Sequence, residues 1–301
     1  MPSGFDQPTL QSAEQLLEAA LQEDLADAGD LTCLATLPQQ QTSAVQLVSR
    51  ESGVFCGGQL IELTFSRLRA DVQTELFIGD GAALTPGTVI AEMRGDVRSL
   101  LIGERTILNF LTHLCGISSL TAKYVRETAG THAVVLDTRK TLPGWRRLQK
   151  YAVLCGGATN HRMGLFDGVL IKDNHLAARG SLSAATAVES ARDYLRSRQL
   201  PAVVEIEVDT LDQLRDVLTA APEIVLLDNM QLTDLIAAVE LRNQFSPQTL
   251  LEASGGVSLA TIREIARTGV DRISVGGLTH SAPALDLGFD WSSHPGSDAR
   301  A

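Results

Sequence analysis

Val203-Val-Glu-Ile-Glu207, Asp209-Thr-Leu-Asp-Gln-Leu-Arg-Asp-Val-Leu218 and Ile224-Val-Leu-Leu-Asp228 follow one another along the chain. The first and third are apolar runs of strand length, and the second repeats its apolar residues at helical spacing. A strand, a helix and a strand in that order belong to a parallel sheet. The pattern extends outward on both sides. Ala133-Val-Val-Leu-Asp137 and Gly168-Val-Leu-Ile-Lys172 come before it, and Leu250-Leu-Glu-Ala-Ser254 and Arg272-Ile-Ser-Val-Gly276 come after. Each run ends on a polar or glycine-rich signature, and in parallel α/β sheets reactive groups gather where strands end and helices begin. The spacing therefore predicts an α/β barrel enzyme with its chemistry at the strand ends.

The rest of the chain reads differently. Ser12-Ala-Glu-Gln15 has the capping-box pattern, and Leu16, Leu17, Ala20 and Leu21 give an apolar face, so an opening helix is expected. Val45-Gln-Leu-Val48, Val54-Phe-Cys56, Val72-Gln-Thr-Glu-Leu-Phe-Ile78 and Val89-Ile-Ala-Glu-Met93 are strand-like, with turn glycines at Gly57-Gly58, Gly79-Asp-Gly81 and Pro86-Gly87. Leu101, Leu108, Leu111 and Leu114 then follow helical spacing up to Gly116, which predicts a helix joining two domains. The tail after the last strand is too short for another strand and helix. The expectation is an α+β sandwich domain over 1–116, joined by the tail 281–301, and an incomplete, about six-stranded TIM-like α/β barrel over 117–280.

The 301 residues carry a formal net charge of -11, which argues against a general binder of nucleic acid or anionic membrane. No basic-then-apolar leader follows Met1, and no apolar run approaches the roughly 18 residues of a membrane span. A cytoplasmic protein is expected. Cys33, Cys56, Cys115 and Cys155 lack Cys-x-x-Cys spacing, so buried free thiols are expected rather than a zinc knuckle or a redox dithiol.

Against this acidic background, Arg139, Lys140, Arg146, Arg147, Lys150, Arg162 and Lys172 cluster with His161, and Asp167 is the one carboxylate between Arg139 and Lys172. Such a concentration points to a multiply anionic ligand. For Arg146, Arg147 and Lys150 a solvated helix face is the favoured reading. Arg139, Lys140 and Lys172 stand at strand ends, where a ligand role is favoured. Thr138 and Thr141 add hydroxyls in Asp137-Thr-Arg-Lys-Thr-Leu-Pro-Gly144, and Asn160-His-Arg-Met-Gly164 and Lys172-Asp-Asn-His175 repeat the theme.

Glu205 and Glu207 lie two apart on one strand and share a face, and Asp228 ends the next. Carboxylates at such positions coordinate Mg²⁺ directly or through water, accept hydrogen bonds from sugar hydroxyls, or pair with a barrel Arg or Lys. Ser254-Gly-Gly256 and Gly276-Gly277 follow the last two strands, where backbone N–H groups commonly hold a phosphate. The expected ligand has a phosphate at one end and more negative charge at the other.

These motifs closely resemble the carboxylating nicotinate-nucleotide pyrophosphorylase family, also called quinolinate phosphoribosyltransferases. The matching stretches are Gly103-Glu-Arg-Thr-Ile-Leu-Asn-Phe-Leu111, Leu136-Asp-Thr-Arg-Lys-Thr141, Asn160-His-Arg162, Leu170-Ile-Lys-Asp-Asn-His175, Val204-Glu-Ile-Glu207, Leu226-Leu-Asp-Asn229, Glu252-Ala-Ser-Gly-Gly256 and Leu278-Thr-His-Ser-Ala-Pro-Ala-Leu-Asp286. Ala158-Thr159 departs from the family, where a third glycine is frequent after Gly156-Gly157.

The resemblance implies transfer of phosphoribose from phosphoribosyl pyrophosphate to the ring nitrogen of quinolinate, with loss of CO₂ and pyrophosphate, in de novo NAD synthesis. It also implies Mg²⁺, no organic cofactor, and a homodimer in which Arg105 reaches the partner's barrel. Arg139, His161, Arg162 and Lys172 are then expected around the quinolinate dianion, Lys140 at the pyrophosphate, Glu207 and Asp228 at the ribose and metal, and Ser254, Gly255, Gly256, Gly276 and Gly277 at the phosphate, with Thr138 and His280 as further substrate-binding residues and Lys140, Lys172, Glu207 and Asp228 as the catalytic ones.

Lys172 at a strand end also suits a Schiff-base aldolase. The turns around Gly79-Asp-Gly81 and Pro86-Gly87 suit a biotinyl or lipoyl carrier, but Ala91-Glu-Met-Arg-Gly95 lacks the carrier lysine. His175 and His280 read equally as catalytic groups or as neutral histidines beside the site.

Overall fold

The computed structural model describes residues 4–180 and 183–291. They form two compact units. The first comprises Met1–Ala122, Thr141–Gly157 and Ser281–Ala301, as far as these are described, and the second Lys123–Lys140 and Ala158–His280.

Helix α1 (Gln7–Leu25) begins before the Ser12 capping box, because Asp6 already accepts the Thr9 N–H at 2.9 Å. Pro8 sits in the first turn, where a missing N–H costs nothing. Helix α2 (Leu31–Thr36) is capped in the same way by Asp30, and then come β1 (Thr42–Ser49), β2 (Gly53–Val54), α3 (Gln59–Arg67), β3 (Val72–Leu76), β4 (Ala83–Leu84) and β5 (Val89–Asp96). Strands β1 and β3 flank β5 in an antiparallel sheet, and β2 pairs with β4. The strand-like pattern does not reveal α3, which buries Leu60, Ile61, Thr64 and Phe65 within nine residues.

Helix α4 (Val97–Glu127) runs 31 residues, straight through Gly116. A Cβ on Gly116 would lie 2.0 Å from the Pro283 carbonyl oxygen. This glycine lets two backbones approach and does not end a helix. All four cysteines are buried free thiols, as their spacing predicts.

After α4 come β6 (Val134–Leu136), α5 (Arg146–Cys155), β7 (Val169–Ile171), α6 (Asp173–Ala178), α7 (Ala184–Ser197), β8 (Val204–Val208), α8 (Leu211–Leu218), β9 (Ile224–Asp228), α9 (Leu232–Phe245), β10 (Leu250–Ser254), α10 (Ile262–Arg267), β11 (Arg272–Ser274), α11 (Gly277–His280) and β12 (Leu287–Trp291). Each of the six apolar runs is a strand. They pair in parallel in the order β6-β11-β10-β9-β8-β7, a partial α/β barrel. Thr159 adds one parallel bridge to Leu136 beyond β6.

Two segments divide differently from the expected boundaries at 116 and 280. Residues 117–122 and 141–157 belong to the first unit, where α5 packs on α1. Helix α5 therefore has no broad solvated face: Lys150 is fully buried, and Arg146 Nε donates to Thr141 Oγ1 at 3.1 Å. Trp145 stacks on Phe110 at 4.6 Å, a packing role. Strand β12 pairs antiparallel with β1, in the first unit. Residues 292–301 of the expected tail lie outside the described residues. Among the described residues no helix is long and apolar enough to cross a membrane.

Candidate active site

Alternate residues of a barrel strand face the interior, so each strand contributes side chains in layers. The upper layer holds Lys172, Glu207, Asp228 and Ser254, and two residues earlier on the same strands Leu170, Glu205, Leu226 and Glu252 form a lower layer. A cavity of about 320 Å³ opens at the strand ends. Its wall includes Thr138, Arg139, Lys140, His161, Arg162, Lys172, Glu207, Asp228 and Ser254, together with Leu170, Leu226, Glu252 and Ser274. Nine residues expected from the sequence thus meet in one place.

The others lie around this cavity or elsewhere. Gly255 and Gly256 have φ of +90° and +59°, and a Cβ on Gly255 would fall 2.2 Å from Asn229 Oδ1. Asn229 in turn donates its N–H to the Ser254 carbonyl at 2.9 Å and its Nδ2 to Asp228 Oδ2 at 2.7 Å. The glycine is required by that close junction between the loops after β9 and β10. At Gly276 a Cβ would meet Lys140 Cδ at 3.0 Å and His280 Nε2 at 3.2 Å. Gly277 opens α11, and Thr279 Oγ1 donates to the Lys140 carbonyl at 2.8 Å, which fixes the main chain beneath Lys140. Arg105 is an exposed residue of α4 in the first unit. His175 Nδ1 accepts the Lys172 N–H at 2.9 Å, so this histidine shapes the turn into α6.

Charges in the upper layer are partly solvated. Lys172 Nζ donates to Glu207 Oε2, with the lysine side chain half-exposed and the carboxylate buried. Arg139 and Lys140 are exposed. Burial and the neighbouring Arg139 charge lower the pKa of Arg162, whose Nη1 donates to the Gly168 carbonyl at 3.0 Å. An anionic ligand would relieve that tension.

The lower layer is dry. His161 Nε2 lies 3.1 Å from Glu205 Oε2 and 3.4 Å from Glu252 Oε1, and Arg272 Nε donates to Glu252 Oε2 at 2.7 Å. The two carboxylates are buried almost completely. Burial alone would depress His161, but hydrogen bonds to Glu205 and Glu252 raise it to about 9. The Arg162 N–H directed at His161 Nδ1 at 2.7 Å opposes a second ring proton. Two buried carboxylates outweigh that single dipole, so the imidazolium is favoured. Burial raises the pKa of Glu205. For Glu252 the same desolvation is outweighed by His161 and Arg272, which lower it. The His161 N–H donates to Asp137 Oδ1 at 2.8 Å, which places the whole residue.

Glu252 and Ser274 line the cavity, while Asp137 holds His161 and Arg272 holds Glu252; the strand-end motifs alone name none of the four as a ligand group. A period-two reading back from each strand end finds Glu252, since it shares a face with Ser254. It also pairs Arg272 with Ser274.

The chain matches the model of the quinolinate phosphoribosyl transferase N-terminal domain over residues 30–115 and that of the C-terminal domain over residues 117–290. It is 43% identical over 282 residues to the nicotinate-nucleotide pyrophosphorylase [carboxylating] of Mycobacterium leprae, covering 93% of this chain and 97% of that one. A probable enzyme of the same name from Bacillus subtilis is 38% identical over 92% of each chain. Among solved structures, NadC from Streptococcus pyogenes superposes with a TM-score of 0.87 at 36% identity, covering 96% of this chain and all of that one. The nicotinate-nucleotide pyrophosphorylase of Francisella tularensis superposes with a TM-score of 0.86 at 36% identity, covering 95% and 98%. Two domain models spanning most of the chain, relatives matched along nearly their whole length and a shared fold make this chain a member of the quinolinate phosphoribosyltransferase family.

Proposed function

We propose that the chain is a decarboxylating quinolinate phosphoribosyltransferase of de novo NAD synthesis. It joins quinolinate and phosphoribosyl pyrophosphate to give nicotinate mononucleotide, pyrophosphate and CO₂. The observation that carries this reading is the cavity itself: four cationic side chains and His161 converge on it, while Glu207 and Asp228 line it as well. Arg139, Arg162 and Lys172 hold the two carboxylates of quinolinate, with Thr138 as a further donor and His161 supplying positive charge from the floor. Lys140 faces the departing pyrophosphate, and Ser254 with the glycines after β10 and β11 and His280 serves the phosphate end.

Glu207 and Asp228 accept the ribose hydroxyls and add negative potential where the sugar becomes cationic. They present oxygen donors from neighbouring strands, and Glu207 already holds a cation, the Lys172 ammonium. This donor set fits Mg²⁺, which is commonly shared between one or two carboxylates and substrate phosphates. When bound it neutralises charge developing on the pyrophosphate. No organic cofactor is required, because the alkylated pyridinium itself accepts the electron pair left by CO₂. Lys172 stands against Glu207 beside Arg139, Lys140 and Arg162, an arrangement that suits an anion better than the carbonyl of a Schiff-base substrate.

The working enzyme is a cytoplasmic homodimer in this reading, with the exposed Arg105 of one copy serving the cavity of the other. The test supplies phosphoribosyl pyrophosphate, Mg²⁺ and quinolinate to the purified protein and measures pyrophosphate and CO₂, with nicotinate in a parallel reaction. Equimolar release with quinolinate alone is expected. Release with nicotinate, or no release with either acid from folded protein, overturns the reading.

A further inference from the structure

Glu252 poses an electrostatic problem. It is a fully buried carboxylate in the wall of a cavity whose other features suit an anion, and the buried Glu205 lies beside it on His161. Two negative charges beneath a dianion would repel it unless both are compensated. His161 supplies one positive charge to the two carboxylates. Its Nε2 is shared between them, 3.1 Å from Glu205 Oε2 and 3.4 Å from Glu252 Oε1, so one imidazolium faces two carboxylates.

The second positive charge comes from the opposite end of the barrel. Arg272 opens β11, lies beside Glu252 in the parallel register, and donates Nε to Glu252 Oε2 at 2.7 Å. Its side chain does not line the candidate active cavity. It lines a second cavity of about 320 Å³ toward the strand starts, which shares His161 and Arg162 with the first and whose wall also includes Val203, Ile224 and Leu250. Arg272 is partly exposed there, so its own charge stays solvated while Glu252 is dry.

We propose that Arg272 is a positioning residue of the candidate site, acting through Glu252: it fixes that carboxylate against His161 and cancels its charge, so that the cavity floor accepts a dianion. The inference rests on the quinolinate reading and assigns the dicarboxylate preference partly to a residue outside the substrate cavity. An Arg272→Gln substitution uncovers one negative charge beneath the ligand, whereas Arg272→Lys keeps the compensation. Removing both charges, in Arg272→Gln combined with Glu252→Gln, leaves an amide pair of similar shape and no net charge.

The experiment measures quinolinate Kd by calorimetry and KM and kcat by pyrophosphate release, with melting temperature as a folding control. Arg272→Gln is expected to weaken quinolinate binding about tenfold, with kcat and the KM for phosphoribosyl pyrophosphate changed less than about threefold. Arg272→Lys is expected to bind quinolinate within about threefold of wild type, and the double variant to bind it more tightly than Arg272→Gln. Binding is read well below the melting temperature of every variant, so that a loss of folding stability does not register as a loss of affinity. Wild-type affinity in Arg272→Gln, or a double variant no better than the single one, overturns the proposal. If Arg272→Gln does not fold, Glu252→Gln alone decides: it should bind quinolinate at least as tightly as wild type, and weaker binding overturns the proposal. Wild-type protein that neither binds nor turns over quinolinate removes the underlying reading instead.

Discussion

The upper and lower layers of the barrel interior use the same residue types in opposite ways. Above, Arg139 and Lys140 are exposed and Lys172 is half-exposed, while two residues down the strands Glu205 and Glu252 are dry and paired with His161 and Arg272. Solvent pays for an unpaired charge in the upper layer, so those side chains are available to a ligand. Below, Glu205 and Glu252 are buried almost completely, and each buried carboxylate must find a protein partner. The upper layer is therefore expected to govern turnover, and the lower one stability and the potential of the cavity floor.

The largest effect should come from breaking the lower layer. Glu252→Ala strands Arg272 and removes a partner of His161, and should destabilise the protein by about 3 to 5 kcal/mol in urea unfolding. A loss below about 1 kcal/mol would erase the distinction between the layers. In the upper layer Lys140→Ala should reduce kcat by about 10² to 10³. Its unfolding free energy should stay within about 0.5 kcal/mol of wild type.

The smallest effect is a pH dependence. His161 binds its proton more tightly when folded, so the stability it confers is fully present below about 6.5 and is lost as pH rises through about 9. Wild type should lose about 1 kcal/mol per pH unit near pH 8, on the order set by one proton, and His161→Gln should not. Parallel slopes for the two proteins would show that the imidazolium is not held by the lower layer.

Much of this arrangement was legible because it is periodic or local. Six apolar runs declare six strands, and Asp137-Thr-Arg-Lys, Asn160-His-Arg and Lys172-Asp-Asn-His name the cationic wall of the cavity, since strand ends are also motif ends. The same local logic misleads at Gly116, where a helix-stop residue serves a backbone contact with Pro283. It misleads again at Lys150, a cation among cations that is buried in the first unit. Pro283 is far in sequence from the glycine it explains.

The sequence by itself determined the strand and helix periods, the family motifs, and the charged groups that line the cavity apart from Glu252. Those depend on spacing along the chain and on side-chain chemistry. Only the tertiary structure decided that α5 joins the first unit, that β12 pairs with β1, and that Arg272 answers Glu252 across the register of β10 and β11. Pairing between strands and compensation of buried charge are set by which residues meet after folding, and desolvation makes those meetings obligatory.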